Sequence, residues 1–288
     1  MAIPRLFSCL LVVLLGAAAG AEPPATQPAG DGYPYRIIRE TRTDPPQRIF
    51  VAKIDLTDPR IGVRVVPAGA DPDGDGPWQT TLMPTSQIAQ REQFDLAVNA
   101  SFFSIKETLD DQGKKIGYRP GVWASAIGRT VTDGQIWSSG RPDWPVLWID
   151  ANDRARITMP SEVTAPAKQV VAGNAWIVRN GENQVPKEGM MTKRHPRTAV
   201  GVDREGKTLV ILSVDGRRPV SAVGMTGDEL FAELVKHDVW NAINLDGGGS
   251  TTLVERNRAD GRYDILNTPS DGRERAVANA IGVTVKEK

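Results

Sequence analysis

One stretch of the chain, residues 241–253, combines a carboxylate, three consecutive glycines and three hydroxyl side chains. Apolar and polar residues alternate from 242 to Asp246, which is the pattern of a half-buried strand. Three glycines allow positive φ and expose successive N–H groups, a common way to hold an anion. The candidate anion-binding residues here are Gly247, Gly248, Gly249, Ser250 and Thr251. A glycine-rich hairpin turn is the alternative, and the flanking Asp246 and Ser250 favour a site over it.

Other charged residues that could take part in a reaction lie near predicted strand ends or in the loop before the final strand. The carboxylates are Asp215, Asp246, Asp271 and Glu274, and the guanidiniums are Arg197, Arg217 and Arg275. Arginines beside backbone N–H groups suit an oxyanion such as phosphate. Carboxylates suit proton transfer or the stabilisation of an oxocarbenium ion at a sugar. Together these groups predict a substrate that carries both a sugar and a phosphate, whereas singly each of them fits a surface ion pair.

Several other kinds of site are excluded by composition. Two histidines and a single cysteine rule out a multi-histidine zinc site, and neither a nucleophile elbow nor a P-loop occurs. With 35 basic and 35 acidic residues, no net field attracts nucleic acid or an anionic membrane. Asp71, Asp73 and Asp75 have the spacing with which a calcium loop begins, but no glutamate stands at the bidentate position. A solvated loop is therefore favoured over a structural divalent cation, and no other metal or cofactor is predicted.

The N-terminus has the pattern of an export signal. Arg5 precedes an apolar run from residue 6 to 15, and small residues at 19–21 form a cleavage site. We therefore predict a signal peptide at 1–21, a disordered leader at 22–34 and one domain at 35–288. Cys9 falls within the signal, so the predicted mature chain has no disulfide and depends on its core for stability. An exported chain of this kind suggests a periplasmic or secreted bacterial protein. No later stretch is apolar enough to span a membrane, and the sequence leaves the oligomeric state open.

Short alternating strands predominate along the rest of the chain. We predict strands at 48–56, 62–66, 170–178, 194–203, 207–216 and 242–245 and a final strand to 285, with 194–203 paired to 207–216. The stretch 94–103 is predicted to contain a buried strand with Asn99 at its end. A helix is predicted at 83–93, capped by Thr85 or Ser86, and a second at 225–238, capped by Thr226. The fold class is a single α+β domain with mixed, mostly antiparallel sheets and a few packed helices.

Five motifs occur in a fixed order across residues 95–285. They are Val98–Phe103, Pro196–Gly201, Val214–Arg217, Asn244–Ser250 and Pro269–Arg275. In these motifs the chain resembles the phosphodiester glycosidase family. The resemblance implies a hydrolase that removes N-acetylglucosamine from a sugar-1-phosphodiester by cleaving the bond between the anomeric carbon and oxygen. It also implies that the site is lined by Asn99, Arg197, Asp215, Asp246, Gly247, Gly248, Gly249, Ser250 and Glu274, without settling the role of each carboxylate. We predict Asp246, Glu274 and Asp215 as the catalytic candidates, and we add Thr198, Arg217, Thr251, Asp271 and Arg275 to the candidate substrate contacts.

The chemistry of such a substrate limits what the protein must supply. A phosphate monoester has a second pKa of roughly 6, so it departs with little protonation. Arg197 and the glycine N–H groups are expected to stabilise the departing charge. Either Asp246 or Glu274 then activates water or attacks the anomeric carbon, with Asp215 holding an arginine. Two alternatives stay open, namely a phosphodiesterase that attacks phosphorus and a non-catalytic binder of envelope glycans.

Overall fold

A computed structural model of the chain describes residues 32–286. The predicted signal peptide and residues 22–31 of the predicted leader lie outside the described residues. Strands dominate, and in chain order the first eleven are β1 (Tyr35–Thr43), β2 (Pro46–Asp55), β3 (Ile61–Pro67), β4 (Thr80–Thr81), β5 (Met83–Pro84), β6 (Leu96–Asn99), β7 (Phe103–Ile105), β8 (Trp123–Ala126), β9 (Thr130–Thr132), β10 (Gln135–Ser138) and β11 (Val146–Asp150). The other eleven are β12 (Ala155–Thr158), β13 (Ala167–Ala172), β14 (Ala175–Arg179), β15 (Glu182–Asn183), β16 (Arg197–Val202), β17 (Thr208–Val214), β18 (Asn241–Asn244), β19 (Leu253–Arg256), β20 (Tyr263–Ile265), β21 (Ala276–Val277) and β22 (Asn279–Val285). The helices are α1 (Thr85–Glu92) and α2 (Gly227–Val235), with short 3₁₀ turns at Pro160–Glu162, Gly189–Thr192 and Gly248–Ser250.

Three large sheets form the architecture. The seven-stranded sheet has the order β1-β2-β17-β16-β18-β14-β15, and the two five-stranded sheets have the orders β10-β9-β13-β11-β12 and β20-β19-β6-β22-β3. Two small sheets, β21-β5 and β4-β8-β7, complete the fold. Every strand pairing within residues 32–286 is antiparallel. The predicted α+β domain is therefore confirmed in coarse form, but it is dominated by sheets, and none of them is mixed.

The main core lies where the large sheets face one another. Alternate residues of each strand point to opposite faces, so β17 sends Leu209 and Ile211 into this core and Val210 and Leu212 to the other side. The apolar face of α2 covers that other side, and α1 covers the outer face of β6, β19 and β22. These helices shield sheet faces from water and leave the sheet ends free to carry polar groups.

The two predicted helices both form, but only one begins as expected. Thr226 caps α2, since its hydroxyl accepts from the N–H of Glu229 while the Glu229 carboxylate reaches back to it. The predicted cap of α1 by Thr85 or Ser86 is wrong, because Pro84 stands at the cap position and no side chain of this segment caps the helix. A distant carboxylate does so instead, as described below.

One predicted strand is in fact two. The run from 170 to 178 breaks at Gly173 and Asn174, where β13 ends in one sheet and β14 begins in another. A Cβ on Gly173 would lie 2.5 Å from the carbonyl oxygen of Asn244, so the crossing needs a glycine. The predicted pairing of 194–203 with 207–216 is confirmed by the register of β16 and β17.

Gly282 of β22 packs closely against the buried ring of Phe94, so a substitution there measures how tightly this part of the core is packed. A Cβ on Gly282 of β22 would collide with the ring of Phe94, which is 1% exposed. Overpacking of this kind costs about 1–3 kcal/mol, so we expect Gly282→Ala to lower the free energy of unfolding by that amount in urea denaturation. Thr284→Ala, at a partly exposed position of the same strand, is the matched control and should change stability by less than about 0.5 kcal/mol. Equal effects of the two substitutions would contradict the packing argument.

Candidate active site

A cavity of about 420 Å³ opens at one edge of the seven-stranded sheet. Because the strands are antiparallel, the first residues of β14 and β16 lie at the same edge as the last residues of β17 and β18. The polar lining residues are Asn174, His195, Arg197, Arg217, Asn244, Asp246 and Arg275, together with Gly247, Gly248 and Gly249. The apolar ones are Phe102, Ala175, Pro186, Met190, Met191 and Pro196. The cavity thus holds one carboxylate, three guanidiniums and an apolar wall.

Asp246 is the carboxylate of this cavity. Burial raises its pKa to about 6, because a charged carboxylate loses water there. The nearby Ser250 hydroxyl, the charge of Arg275 and the N–H of Gly247 act in the opposite direction. A group with this pKa is largely ionised at neutral pH and still accepts a proton readily, which is what a general base requires.

The three glycines do not form the open anion nest that the sequence predicts. The N–H of Gly248 donates to the carbonyl of Pro196 at 2.9 Å, and the N–H of Ser250 donates to that of Gly247 at 3.1 Å. The N–H of Thr251 donates to Gly248 at 3.3 Å. The backbone turns back on itself in a 3₁₀ turn here, so most of these donors are already used within the protein.

What the glycines provide is room for guanidinium groups. A Cβ on Gly248 would lie 2.9 Å from a terminal nitrogen of Arg217, and Gly248 also has a φ of +60°. A Cβ on Gly249 would collide with the guanidinium of Arg275 and with the carboxylate of Asp271. The absence of side chains therefore lets two arginines lie directly over the backbone beside Asp246.

Arg197 is a buried cation without a carboxylate. Its side chain is 5% exposed and donates to the carbonyl oxygens of Met225 at 3.0 Å, Met190 at 2.7 Å and Lys193 at 2.8 Å. No ion pair to Arg197 occurs within residues 32–286. Burial lowers its pKa to about 10. A buried charge without a counter-charge is costly, so this guanidinium favours an anion in the cavity.

Asp271 orients the other two arginines. One of its oxygens accepts from Arg275 Nε at 2.9 Å and from a terminal nitrogen at 2.7 Å, and the other lies 4.0 Å from Arg217. The guanidinium of Arg275 also lies 4.5 Å from the ring centre of Tyr118. Asp271 is therefore outside the cavity lining, and we assign it to holding the arginines in place rather than to contacting a ligand.

Asp215 does not line the cavity. It is 1% exposed and accepts from Asn267 Nδ2 at 3.2 Å and from the N–H of Thr268 at 2.8 Å. The guanidinium that it faces is that of Arg48 at 3.9 Å, and burial raises its pKa. Asp215 does face an arginine, as predicted, but this pair lies outside the cavity lining. The Asp215 carboxylate binds residues 267–268 to the end of β17.

Glu274 also lies away from the cavity. Its two oxygens accept from the N–H of Ser86 at 2.7 Å and from the Ser86 hydroxyl at 2.5 Å. Burial raises its pKa, and these bonds oppose that rise. An acceptor at the first turn of a helix satisfies an N–H group that has no partner within the helix. Glu274 is the cap of α1 rather than a second cavity carboxylate.

Asn99 and the neighbouring hydroxyls form a buried network beneath the cavity. Asn99, which is fully buried, donates from Nδ2 to the carbonyl of Asp246 at 2.6 Å. Its Oδ1 accepts from the hydroxyl of Thr198 and from the N–H of Thr252, each at 3.1 Å. The hydroxyl of Thr198 lies 3.4 Å from that of Thr251. None of these residues lines the cavity, and they fix the backbone that carries Asp246.

Two asparagines missed by the sequence reasoning complete the lining. Asn244 is 3% exposed, and its Nδ2 donates to Oδ1 of Asn174 at 2.8 Å, which leaves Asn244 Oδ1 without a partner among the described residues. Exchanging the oxygen and nitrogen of both amides preserves the bond between them. In either arrangement the pair offers one donor and one acceptor to the cavity. The break after β13 places Asn174 here, and the strand pattern gave no signal of it.

His195 is a third residue that the sequence reasoning did not place here. Both of its ring nitrogens are buried and lack a partner among the described residues. His195 directly precedes the Pro196–Gly201 motif, and this position is the sequence signal that could have placed it here.

Comparison with known proteins identifies the family. A model of the phosphodiester glycosidase family matches residues 92–284, a range that includes all seven polar side chains of the cavity. The chain belongs to the phosphodiester glycosidase family. It is 29% identical over 176 residues to mouse N-acetylglucosamine-1-phosphodiester alpha-N-acetylglucosaminidase, an alignment that covers 52% of this chain and 34% of the mouse protein. The protein of that name from cattle is 38% identical over 104 residues, which is 31% of this chain and 19% of the bovine one.

The fold agrees with that of a solved family member. The zebrafish N-acetylglucosamine-1-phosphodiester alpha-N-acetylglucosaminidase catalytic domain, auto-inhibited by its pro-peptide, superposes with a TM-score of 0.63 at 21% identity. The match covers 90% of this chain and 86% of the zebrafish one. The match to the mouse protein spans about a third of that protein's length. The family and fold of this phosphodiester glycosidase domain are therefore shown, and its substrate is treated as a proposal below.

The raised pKa of Asp246 has a consequence for stability. The folded protein favours the protonated form of Asp246, so the contribution of this residue to stability decreases as pH rises from about 4 to about 6 and stays lower above that. We expect Asp246→Asn, which removes this cost, to be more stable than the wild type by about 1–3 kcal/mol at pH 8. The gain should disappear at pH 4, as measured by urea denaturation at both pH values.

The matched control for that measurement is Asp143→Asn. Asp143 is an exposed aspartate paired with Arg141, which lowers its pKa, so this substitution should give no gain at pH 8. An Asp246→Asn variant that is no more stable than the wild type at pH 8 would show that the carboxylate is well solvated in the cavity.

Proposed function

We propose that this phosphodiester glycosidase hydrolyses the glycosidic bond of a sugar-1-phosphodiester of the N-acetylglucosamine-1-phospho-sugar type. The observation that carries the proposal is the meeting of Asp246 with three guanidiniums in one cavity. A carboxylate with a pKa of about 6 suits activation of water, and guanidiniums suit a phosphate. The names of the mouse and bovine relatives refer to the same kind of bond.

The reaction assigns a separate role to each wall of the cavity. Asp246 takes a proton from water, and the water oxygen attacks the anomeric carbon. The bond between that carbon and the phosphate oxygen breaks, and its electron pair leaves with the phosphate. Arg197, Arg217 and Arg275 stabilise the negative charge that develops on the leaving group.

A phosphate leaving group explains why a single carboxylate is sufficient. Glycosidases that expel a sugar alkoxide use two carboxyl groups, one of which protonates the leaving oxygen. A phosphate monoester has a second pKa of roughly 6 and departs without a strong acid. The placement of Glu274 and Asp215 outside the cavity lining is therefore compatible with this chemistry.

The sugar is assigned to the side of the cavity that carries the asparagines. Asn174 and Asn244 together offer a donor and an acceptor, which match the hydroxyl or acetamido groups of a sugar. Phe102 and Met190 supply apolar surface in the same cavity. The substrate is proposed to be an envelope or extracellular glycan, because the N-terminal sequence predicts export to the periplasm or beyond. Within residues 32–286 no helix is long and apolar enough to cross a membrane.

The role of Asp246 can be tested through its pH dependence. If ionised Asp246 is the base, turnover falls as pH drops below about 6, where this carboxyl becomes protonated. Asp246→Asn is expected to lower kcat by about 10²–10⁴-fold, measured by release of N-acetylglucosamine from its 1-phosphodiesters. Asp143→Asn, at an exposed position, should keep wild-type turnover. Full activity of Asp246→Asn would remove this residue from the mechanism.

The bond that breaks can be identified with labelled water. Hydrolysis in ¹⁸O-enriched water is expected to place the label on the anomeric oxygen of the released sugar, because water attacks carbon in this mechanism. Mass spectrometry of both products gives the result directly. Label on the phosphate would instead establish attack at phosphorus and a phosphodiesterase. Binding of the diesters without any product, at high protein concentration, would establish a glycan-binding domain.

A further inference from the structure

His195 is a polar side chain of the cavity that the mechanism above leaves without a role. Both of its ring nitrogens are buried, and neither has a hydrogen-bond partner among the described residues. Its backbone, by contrast, is fixed, since its N–H donates to the carbonyl of Met225 and its own carbonyl accepts from the Met225 N–H. A neutral imidazole has one donor and one acceptor, and buried polar atoms of this kind require a partner. The backbone of His195 is therefore fixed, while the hydrogen-bonding capacity of its ring is unused.

The charges around the ring are cationic. Lys193 and Arg197 come from its own segment, and Arg217 follows β17. These three charges and burial all lower the pKa of His195 below its usual value of 6.5, so the ring is neutral at pH 7. Asp246 and Arg275 are the other charged groups that line the cavity. Because the cavity contains more cations than carboxylates, an anion that enters it offsets positive charge near the ring.

We infer that His195 takes up a proton when an oxyanion enters the cavity, and that the imidazolium then donates a hydrogen bond to the anion. The opposite charge of the anion favours the protonated ring, and the ring nitrogens gain the partner that they lack. Anion binding and proton uptake are then linked, so that each strengthens the other. The empty cavity thereby avoids a fourth cation beside Arg197, Arg217 and Arg275, and the occupied cavity acquires one.

If the proposed function is correct, the same proton has a use in the reaction. As the bond from the anomeric carbon to the phosphate oxygen breaks, the oxygen receives the electron pair and His195 can pass it the proton. The phosphate then leaves as a monoanion, and neutral His195 remains. Asp246 holds the proton taken from water and releases it to solvent, which restores both groups. One water is consumed, and no other reactant is needed.

Two histidines make the inference directly measurable by NMR. The chain contains only His195 and His237, and His237 lies at the end of α2, with Nε2 3.5 Å from a Glu233 oxygen. The probe is sulfate, an oxyanion that does not titrate near neutral pH. In wild-type protein, sulfate is expected to raise the midpoint of the His195 Cε1–H titration by about 1–3 pH units and to leave the His237 signal unmoved. His237→Gln assigns the two signals without changing the cavity.

Calorimetry with sulfate supplies the second readout. Binding heats at pH 7 in buffers of different ionisation enthalpy give the number of protons taken up, which is expected to approach one for the wild type and to vanish in His195→Gln. Uptake that persists in His195→Gln would assign the proton to another group, Asp246 first among them, and would overturn the inference. An unchanged His195 titration in the presence of sulfate would overturn it as well.

These outcomes separate the inference from the proposed function. Linked proton uptake in a protein that hydrolyses no sugar-1-phosphodiester would support the role of His195 and refute the glycosidase assignment. Hydrolysis by a protein in which sulfate does not change the His195 titration midpoint would support the glycosidase assignment and refute the proton uptake. Each proposal is thus decided by its own measurement.

Discussion

The constraint on which the site depends is the placement of three like charges, one of them buried, around a single carboxylate. Arg197, Arg217 and Arg275 share a cavity of about 420 Å³ with Asp246. Desolvation opposes the charges of Arg197 and Asp246, and the surrounding structure supplies specific partners for the charged groups. Carbonyl oxygens surround Arg197, Asp271 holds Arg275, and glycines clear the space beside Asp246. What is left uncompensated is positive charge, which is the basis for anion recognition here.

This arrangement explains why the most polar part of the core lies beneath the cavity. Asn99 bonds the carbonyl of Asp246, and Thr198 and Thr252 bond Asn99 in turn. Fully satisfied buried networks fix geometry more firmly than apolar packing does. The network thus fixes the backbone of Asp246, while the Ser250 hydroxyl, the Gly247 N–H and the charge of Arg275 act on its carboxylate.

The sequence predicts the composition of the site better than its geometry. Asp246, the arginines and the glycines could be found because they are local in sequence or share a motif. Asp215, Glu274 and Asn99 could not be separated from them, since the partners that give these residues other roles are far away in the chain. Glu274 meets Ser86, 188 positions earlier, and Asn99 meets Asp246 across 147 positions. Hydrophobic periodicity likewise predicts the strands, but it does not show that the chain passes from one sheet to another at Gly173. That crossing is what places Asn174 in the cavity lining.

The segment that follows Asp271 carries two neighbouring residues with different tasks. Glu274 caps α1, and Arg275, the next residue, lines the cavity. A single peptide unit therefore connects the first turn of a helix to the anion site. If that turn frays, Glu274 loses its hydrogen bonds to Ser86 and the position of Arg275 becomes less fixed. The affinity for the anion therefore depends on the local unfolding equilibrium of α1. In thermodynamic terms the first turn of the helix belongs to the binding site, although none of its residues lines the cavity.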